Sequence, residues 1–233
     1  IIIALKIIKK ILIILGKFSK SKFIWNLEMI LNYIKLGKWM QTNGFYTNSR
    51  FANRNEVFDS VLNEIKEEKV LYLEFGVKYG TSMKYWSDKL KNSESVLNGF
   101  DSFEGLPESW DSYLYTKGHL TTEGNIPKID DNRITFFKGW FSDVLPTYSL
   151  PDTSTFDKVV IMLDADLYSS TSYVLNHFKN DIKKDFLLFF DNMNRPDPEP
   201  KAFSEFMKSS GLKFNLIATD FALDRCFFKC IGK

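Results

Sequence analysis

At 233 residues and 44% hydrophobic, the chain has enough apolar material for one globular domain with a short extension. A net charge of +2 gives no electrostatic reason to expect a nucleic-acid partner. The only cysteines, Cys226 and Cys230, fall on one predicted strand about 13 Å apart, too far for a disulfide, and the two histidines stand in no zinc-binding spacing. That usage fits a reducing, cytoplasmic setting.

The small net charge hides an asymmetry. Residues 1–22 carry six lysines and no acid, so residues 23–233 sum to −4. The first fifteen, IIIALKIIKKILIIL, are aliphatic apart from three lysines. The run is too short and too charged to cross a membrane, and a signal peptide would place its charges before the apolar core. A basic amphipathic helix on a membrane surface is one reading. Burial against the protein's own body or in a homo-oligomer is the reading preferred here. Two helices, Ile2–Leu15 and Phe23–Leu36, followed by a connector to Asn43-Gly44, make residues 1–50 a helical extension; residues 51–233 are expected to form the main domain.

The next helix is expected over Glu56–Glu67, where Val57, Phe58, Val61, Leu62 and Ile65 repeat with a 3.6-residue period. A strand over Val70–Phe75 then runs into LEFGVKYGTS. The spacing acid-x-Gly-x-x-x-Gly is neither a dinucleotide fingerprint nor a P-loop. Gly76 and Gly80 still permit a tight strand-to-helix turn with free backbone N–H groups, which suits a ligand carrying a carboxylate. The following strand, Val96–Phe100, ends in Asp101, either a ribose-binding acid or a cap for the next turn.

Leu106–Asn132 is long and polar for a connection inside a compact domain and reads as a lid over a substrate. It holds Trp110, Tyr113, Tyr115, Gly118, His119 and Gly124. Beyond the next strand, Trp140 in KGWF is either a ligand-stacking or an ordinary core aromatic.

Two apolar runs then end abruptly in acid: DKVVIMLDADLYSST, with Asp164 and Asp166, and FLLFFDN, with Asp191 and Asn192. Such runs read as strands buried on both faces of a parallel sheet, and ligands bind beyond the carboxyl ends of strands of this kind. Asp164 and Asp166, two apart in extended chain, would point to the same side. Three carboxylates and an amide at one crevice suit a hard cation such as Mg²⁺, although each Asp alone could simply cap a helix. Asn194–Pro200 adds a proline-rich loop placed to shape an acceptor pocket. Lys213–Thr219 and Arg225–Ile231 read as a terminal antiparallel pair. Alternating strands and helices predict a doubly wound α/β sheet.

LEFGVKYGTS, GFDSFEGLPESW, FFKGWFSDVLP, IMLDADLYSSTSYVL and FFDN, in this order, resemble the macrocin O-methyltransferase (TylF-like) family of S-adenosylmethionine-dependent sugar methyltransferases, from about Phe45 to the C-terminus. The resemblance implies the class I methyltransferase (Rossmann-like) sheet of seven strands with the last strand reversed. It places S-adenosylmethionine against Glu74, Gly76, Gly80, Ser82, Asp101, Ser102, Phe103 and Trp140. Asp164, Asp191 and Asn192 become Mg²⁺ ligands and Asp166 the base. Asn192 stands where the family commonly has an acid. A sugar acceptor, free or part of a glycan, is implied; a catechol-like or other small hydroxylated acceptor, and a non-catalytic S-adenosylmethionine-binding module, are the alternatives. His119 is the next candidate base; His177 reads as structural.

Overall fold

The computed structural model describes residues 2–110, 115–194 and 199–233. Two helices, α1 (Ile2–Phe18) and α2 (Ser21–Asn43), lead into a two-residue strand, β1 (Arg50–Phe51), and α3 (Arg54–Ile65). Then come β2 (Val70–Phe75), α4 (Thr81–Lys89), β3 (Val96–Asp101), β4 (Ile134–Lys138), α5 (Phe141–Val144), β5 (Lys158–Leu163), α6 (Tyr168–His177), β6 (Leu187–Phe190), α7 (Glu199–Ser210), β7 (Lys213–Asp220) and β8 (Cys226–Gly232). The sheet order is β1-β7-β8-β6-β5-β2-β3-β4. Only β8 runs against its neighbours β6 and β7. The expected seven-stranded sheet with its last strand reversed is present, and β1 adds an eighth, parallel strand at the β7 edge.

The apolar runs are continuous because successive residues serve two cores. In β5, Val159, Ile161 and Leu163 face one layer, while Val160 and Met162 face the other. β2 and β6 divide in the same way: Leu73 and Phe190 join the first core, Tyr72 and Phe189 the second. Helices α3 and α4 cover the second layer with Phe58, Leu62, Met83 and Trp86, and α6 and α7 cover the first with Leu175, Phe203 and Phe206. Burying both faces leaves function only the strand ends and the loops. Both cysteines lie buried and unbridged in β8.

The arm departs from expectation. Every residue of α1 from Ala4 to Phe18 is exposed, so α1 does not pack on the protein's own body. Helix α2 runs seven residues past the expected end and is buried on the body at its C-terminal part. There Leu36 is buried, Trp39 donates from Nε1 to Ser204 Oγ at 2.5 Å, and the Trp39 ring packs edge-on against Phe45. Gly44, in the left-handed region at φ 69°, ends the helix by donating to the carbonyls of Gln41 and Met40.

Candidate active site

A cavity of about 640 Å³ opens at the carboxyl ends of β2, β3, β4 and β5. Its lining brings Gly76–Tyr79, Asp101 and Trp140 together with Arg54, Asp164 and Asp166. The turn after β2 is forced by close approach. Gly76 has φ 96°, and a Cβ there would lie 1.9 Å from the Asp164 carbonyl oxygen. Gly80, at φ 73°, begins α4 against Pro127 and Ile129.

Asp101 holds this turn. Its Oδ2 accepts from the backbone N–H groups of Val77 and Lys78 at 2.8 and 2.7 Å, and its Oδ1 accepts from Phe103 N at 2.7 Å. Ser82, Ser102 and Trp140 also line the cavity. Three of the donor-site expectations fall outside the cavity lining, Gly80 at the start of α4 being the first. Phe103 is buried and edge-on to Phe136, and Glu74 is buried behind the turn, where its Oε2 accepts from the Tyr72 hydroxyl at 3.1 Å. Burial pushes the Glu74 carboxyl up to about 8, outweighing the opposing charge of Arg54.

At the acidic end, β5 stops at Leu163, so Asp164 and Asp166 are not on extended chain as expected. Asp166 takes φ 61°, and both still line the cavity. Burial, reinforced by the charges of Asp164 and Asp191, raises the Asp166 carboxyl to about 8. Asp191 is raised to about 6, first by burial and then by Asp164. Asn192 donates from Nδ2 to Asp166 Oδ1 at 3.3 Å, and its backbone N–H donates to Glu199 Oε2 at 2.8 Å. Asp191 and Asn192 stand behind Asp164 and Asp166 rather than in the cavity lining.

The sequence reading missed the residue that organises this end. Arg54 Nη2 donates to Asp164 Oδ2 at 2.6 Å, and its Nε lies 3.1 Å from Asp191 Oδ1. The guanidinium also sits over the rings of Phe58 and Phe189. Burial alone would favour discharging Arg54, but Asp164, Asp191 and Glu74 together hold it charged. Its position comes from a capping box: Asn53 Oδ1 accepts from Glu56 N at 3.0 Å, and Glu56 Oε2 accepts from Ala52 N at 2.9 Å. The sequence signal was the Asn53-x-x-Glu56 spacing, which fixes Arg54 in the first turn of α3. Arg225, carried on the β7–β8 turn, brings a second guanidinium to 3.4 Å from Asp191 Oδ1.

The described part of the lid forms one wall of the cavity through Leu106, Pro107, Lys117 and Leu120. Leu106 and Trp110 pack on Leu167, and Ser169 Oγ donates to Glu108 Oε1 at 2.5 Å. Tyr113 and most of the proline-rich loop 194–200 lie outside the described residues. His119 is exposed and stacked on Tyr115 at 3.9 Å, away from the cavity lining; His177 is exposed at the end of α6.

The Mg²⁺ expected from the resemblance does not fit this arrangement. The two carboxylates that would bind it converge on the Arg54 guanidinium, and Asn192 directs its amide nitrogen to Asp166. Among the described residues no group of three or more His, Cys, Asp or Glu side chains is placed to hold a metal ion.

A family model described as Macrocin-O-methyltransferase (TylF) matches residues 44–228. The chain belongs to the macrocin O-methyltransferase family. This family member is an S-adenosylmethionine-dependent O-methyltransferase, and its sheet agrees with solved structures. The calicheamicin methyltransferase CalS11 superposes with a TM-score of 0.55 at 17% identity, over 74% of this chain and 75% of that one. The O-methyltransferase NovP gives 0.50 at 21%, over 76% of each chain. At these identities the likeness establishes the class I methyltransferase fold. No curated protein matches the chain by sequence.

Proposed function

We propose that this macrocin O-methyltransferase family member transfers a methyl group from S-adenosylmethionine to a sugar hydroxyl, with Asp166 as the general base. The observation that carries the reading is the single cavity joining the glycine turn and Asp101 to Asp164 and Asp166. Its volume of about 640 Å³ falls in the range of small-molecule and cofactor sites. The names of the structural neighbours point the same way: CalS11 is a calicheamicin methyltransferase and NovP an O-methyltransferase.

The donor end fits the group it would hold. The Gly76–Gly80 turn, with its Val77 and Lys78 amides held by Asp101, brings backbone to the cavity wall, Asp101 and Ser102 offer oxygens, and Trp140 offers a ring face. Bound S-adenosylmethionine supplies a methyl group already activated on a sulfonium. The chain's task is therefore at the acceptor, because a sugar hydroxyl is a weak nucleophile until its proton is taken. Asp166 is the cavity carboxylate with the strongest reason to accept that proton, since burial among Asp164 and Asp191 makes it more basic than an ordinary carboxylate. Arg54 pairs with Asp164 and Asp191 and holds both carboxylates in place beside Asp166. Leu106, Pro107 and Leu120 line the cavity with an apolar wall on the lid side. No step here runs through a divalent cation, because Arg54 already takes the carboxylates that would bind one.

A panel of free and nucleotide-linked sugars, assayed for methyl transfer with and without Mg²⁺, tests the reading. Transfer to at least one sugar, undiminished by chelator, is expected; methylation of catechols alone would favour the small-metabolite alternative.

A further inference from the structure

Helix α1 combines two features that the catalytic reading leaves unused. It is solvent-exposed along its whole described surface, and its residues are sorted by face. At about 100° per residue, Lys6, Lys9, Lys10 and Lys17 fall within one arc of about 100°. Leu5, Ile8, Ile11, Leu12, Leu15 and Phe18 fall on the other side, all of them exposed. From Ala4 onward, Ile13 is the one large apolar residue inside the lysine arc.

The second helix repeats the pattern. Phe23, Leu27, Ile30 and Ile34 make an i, i+4, i+7, i+11 stripe, each at least half exposed. Trp25 and Tyr33 are also exposed, as aromatic side chains at a lipid–water boundary would be. Lys20, Lys22, Lys35 and Lys38 extend the positive charge, and the first acid in the chain is Glu28.

We infer that α1 and the first turns of α2 are a docking surface for an anionic lipid bilayer, with α1 lying in the plane of the interface. Three observations select this occupant. Charge complementarity is the first: the arm holds six lysines over residues 1–22 with no acid to pair them, whereas anionic headgroups would. The lysines sit opposite the apolar arc, which is how an interfacial helix buries one face while its charges stay at headgroup level. Finally, Lys6, Lys9 and Lys10 interrupt the aliphatic run of α1, and among the described residues no helix is long and apolar enough to cross a membrane. The arm is fixed to the body by Trp39 on Ser204 and by Asn194 Nδ2 donating to the Tyr33 hydroxyl at 3.4 Å. Membrane attachment through α1 therefore holds the catalytic body at the surface.

The test uses the full chain with vesicles of phosphatidylcholine alone or mixed with phosphatidylglycerol, scored by co-sedimentation, and light scattering for mass in solution. Binding to the anionic vesicles alone is expected, falling more than about tenfold between about 0.05 and 0.5 M salt as the headgroup charges are screened. Lys9→Gln with Lys10→Gln should weaken it about tenfold or more, because each basic residue near the surface is worth about a factor of five. Leu12→Glu with Leu15→Glu should abolish it. Calorimetric S-adenosylmethionine binding, unchanged in both variants, shows that the body is folded. Absence of vesicle binding, with a dimer that Leu12→Glu and Leu15→Glu convert to monomer, would mean that a second copy covers the arm and would overturn the inference. Equal binding to neutral and anionic vesicles would overturn it as well.

Discussion

Arg54 Nη2 lies 2.6 Å from Asp164 Oδ2, and this pair sets the charge balance of the acidic end of the cavity. Asp164, Asp166 and Asp191 converge there, and the guanidinium that separates two of them comes from the first turn of α3, some 110 residues upstream of Asp164. Arg54→Ala would leave the carboxylates facing one another. The pair is half-buried, so a loss of about 1–3 kcal/mol is expected, between the values for exposed and buried pairs. Arg54→Lys should recover only part of it, because a compact ammonium cannot bridge two carboxylates as a planar guanidinium does. Urea unfolding of the three proteins measures this. If Arg54→Ala also confers Mg²⁺-dependent turnover, the freed carboxylates take a metal in its place.

Glu74 gives a pH dependence whose sign follows from burial. Its folded-state value of about 8 stands above the 4.5 of an unperturbed side chain, so between those values the native state holds a proton that the unfolded chain has lost. This contribution to stability is complete below about pH 4.5 and is lost as pH rises through about 8. Glu74→Gln removes the titration. Urea midpoints measured from pH 5 to 9 should fall less steeply for the variant than for the wild type, and equal slopes would place the titrating group elsewhere.

Gly76→Ala tests the close approach of the turn to β5. The new Cβ would meet the Asp164 carbonyl at 1.9 Å with φ at 96°, so the turn must shift. A loss of at least about 2 kcal/mol is expected, together with weaker S-adenosylmethionine binding. Thermal unfolding and calorimetry check both.

Asp166→Asn keeps the shape of the side chain and removes its ability to accept a proton. Turnover on any sugar that the wild type methylates should fall by about 10² to 10⁴-fold, while donor binding stays within about twofold. Undiminished turnover would assign the base to another residue.

The fold was legible because its signals are dense. Val159–Leu163 and Leu187–Phe190 could be read as buried strands since every position, on either face, meets a core. The glycine turn and Asp101 were also legible, as local spacings tied to a backbone need. Arg54 and Arg225 were not, because their partners lie far along the chain and an arginine at a helix start or in a hairpin turn looks like any solvated charge. Glu74 was placed at the ligand by the family resemblance; the side it faces is set by the pleat of β2, which puts it alongside Tyr72. The exposure of α1 was equally out of reach, since an aliphatic helix has the same sequence whether it meets protein or lipid.

The central claim, an S-adenosylmethionine site built from the Gly76–Gly80 turn and Asp101, is tested most directly by titrating S-adenosylmethionine into the wild type and Asp101→Ala in a calorimeter. One molecule per chain should bind the wild type. The variant should bind at least about tenfold more weakly, because Asp101 holds the Val77 and Lys78 amides and also faces the cavity. No heat from the wild type at millimolar ligand, or equal affinity in the two proteins, would contradict the account.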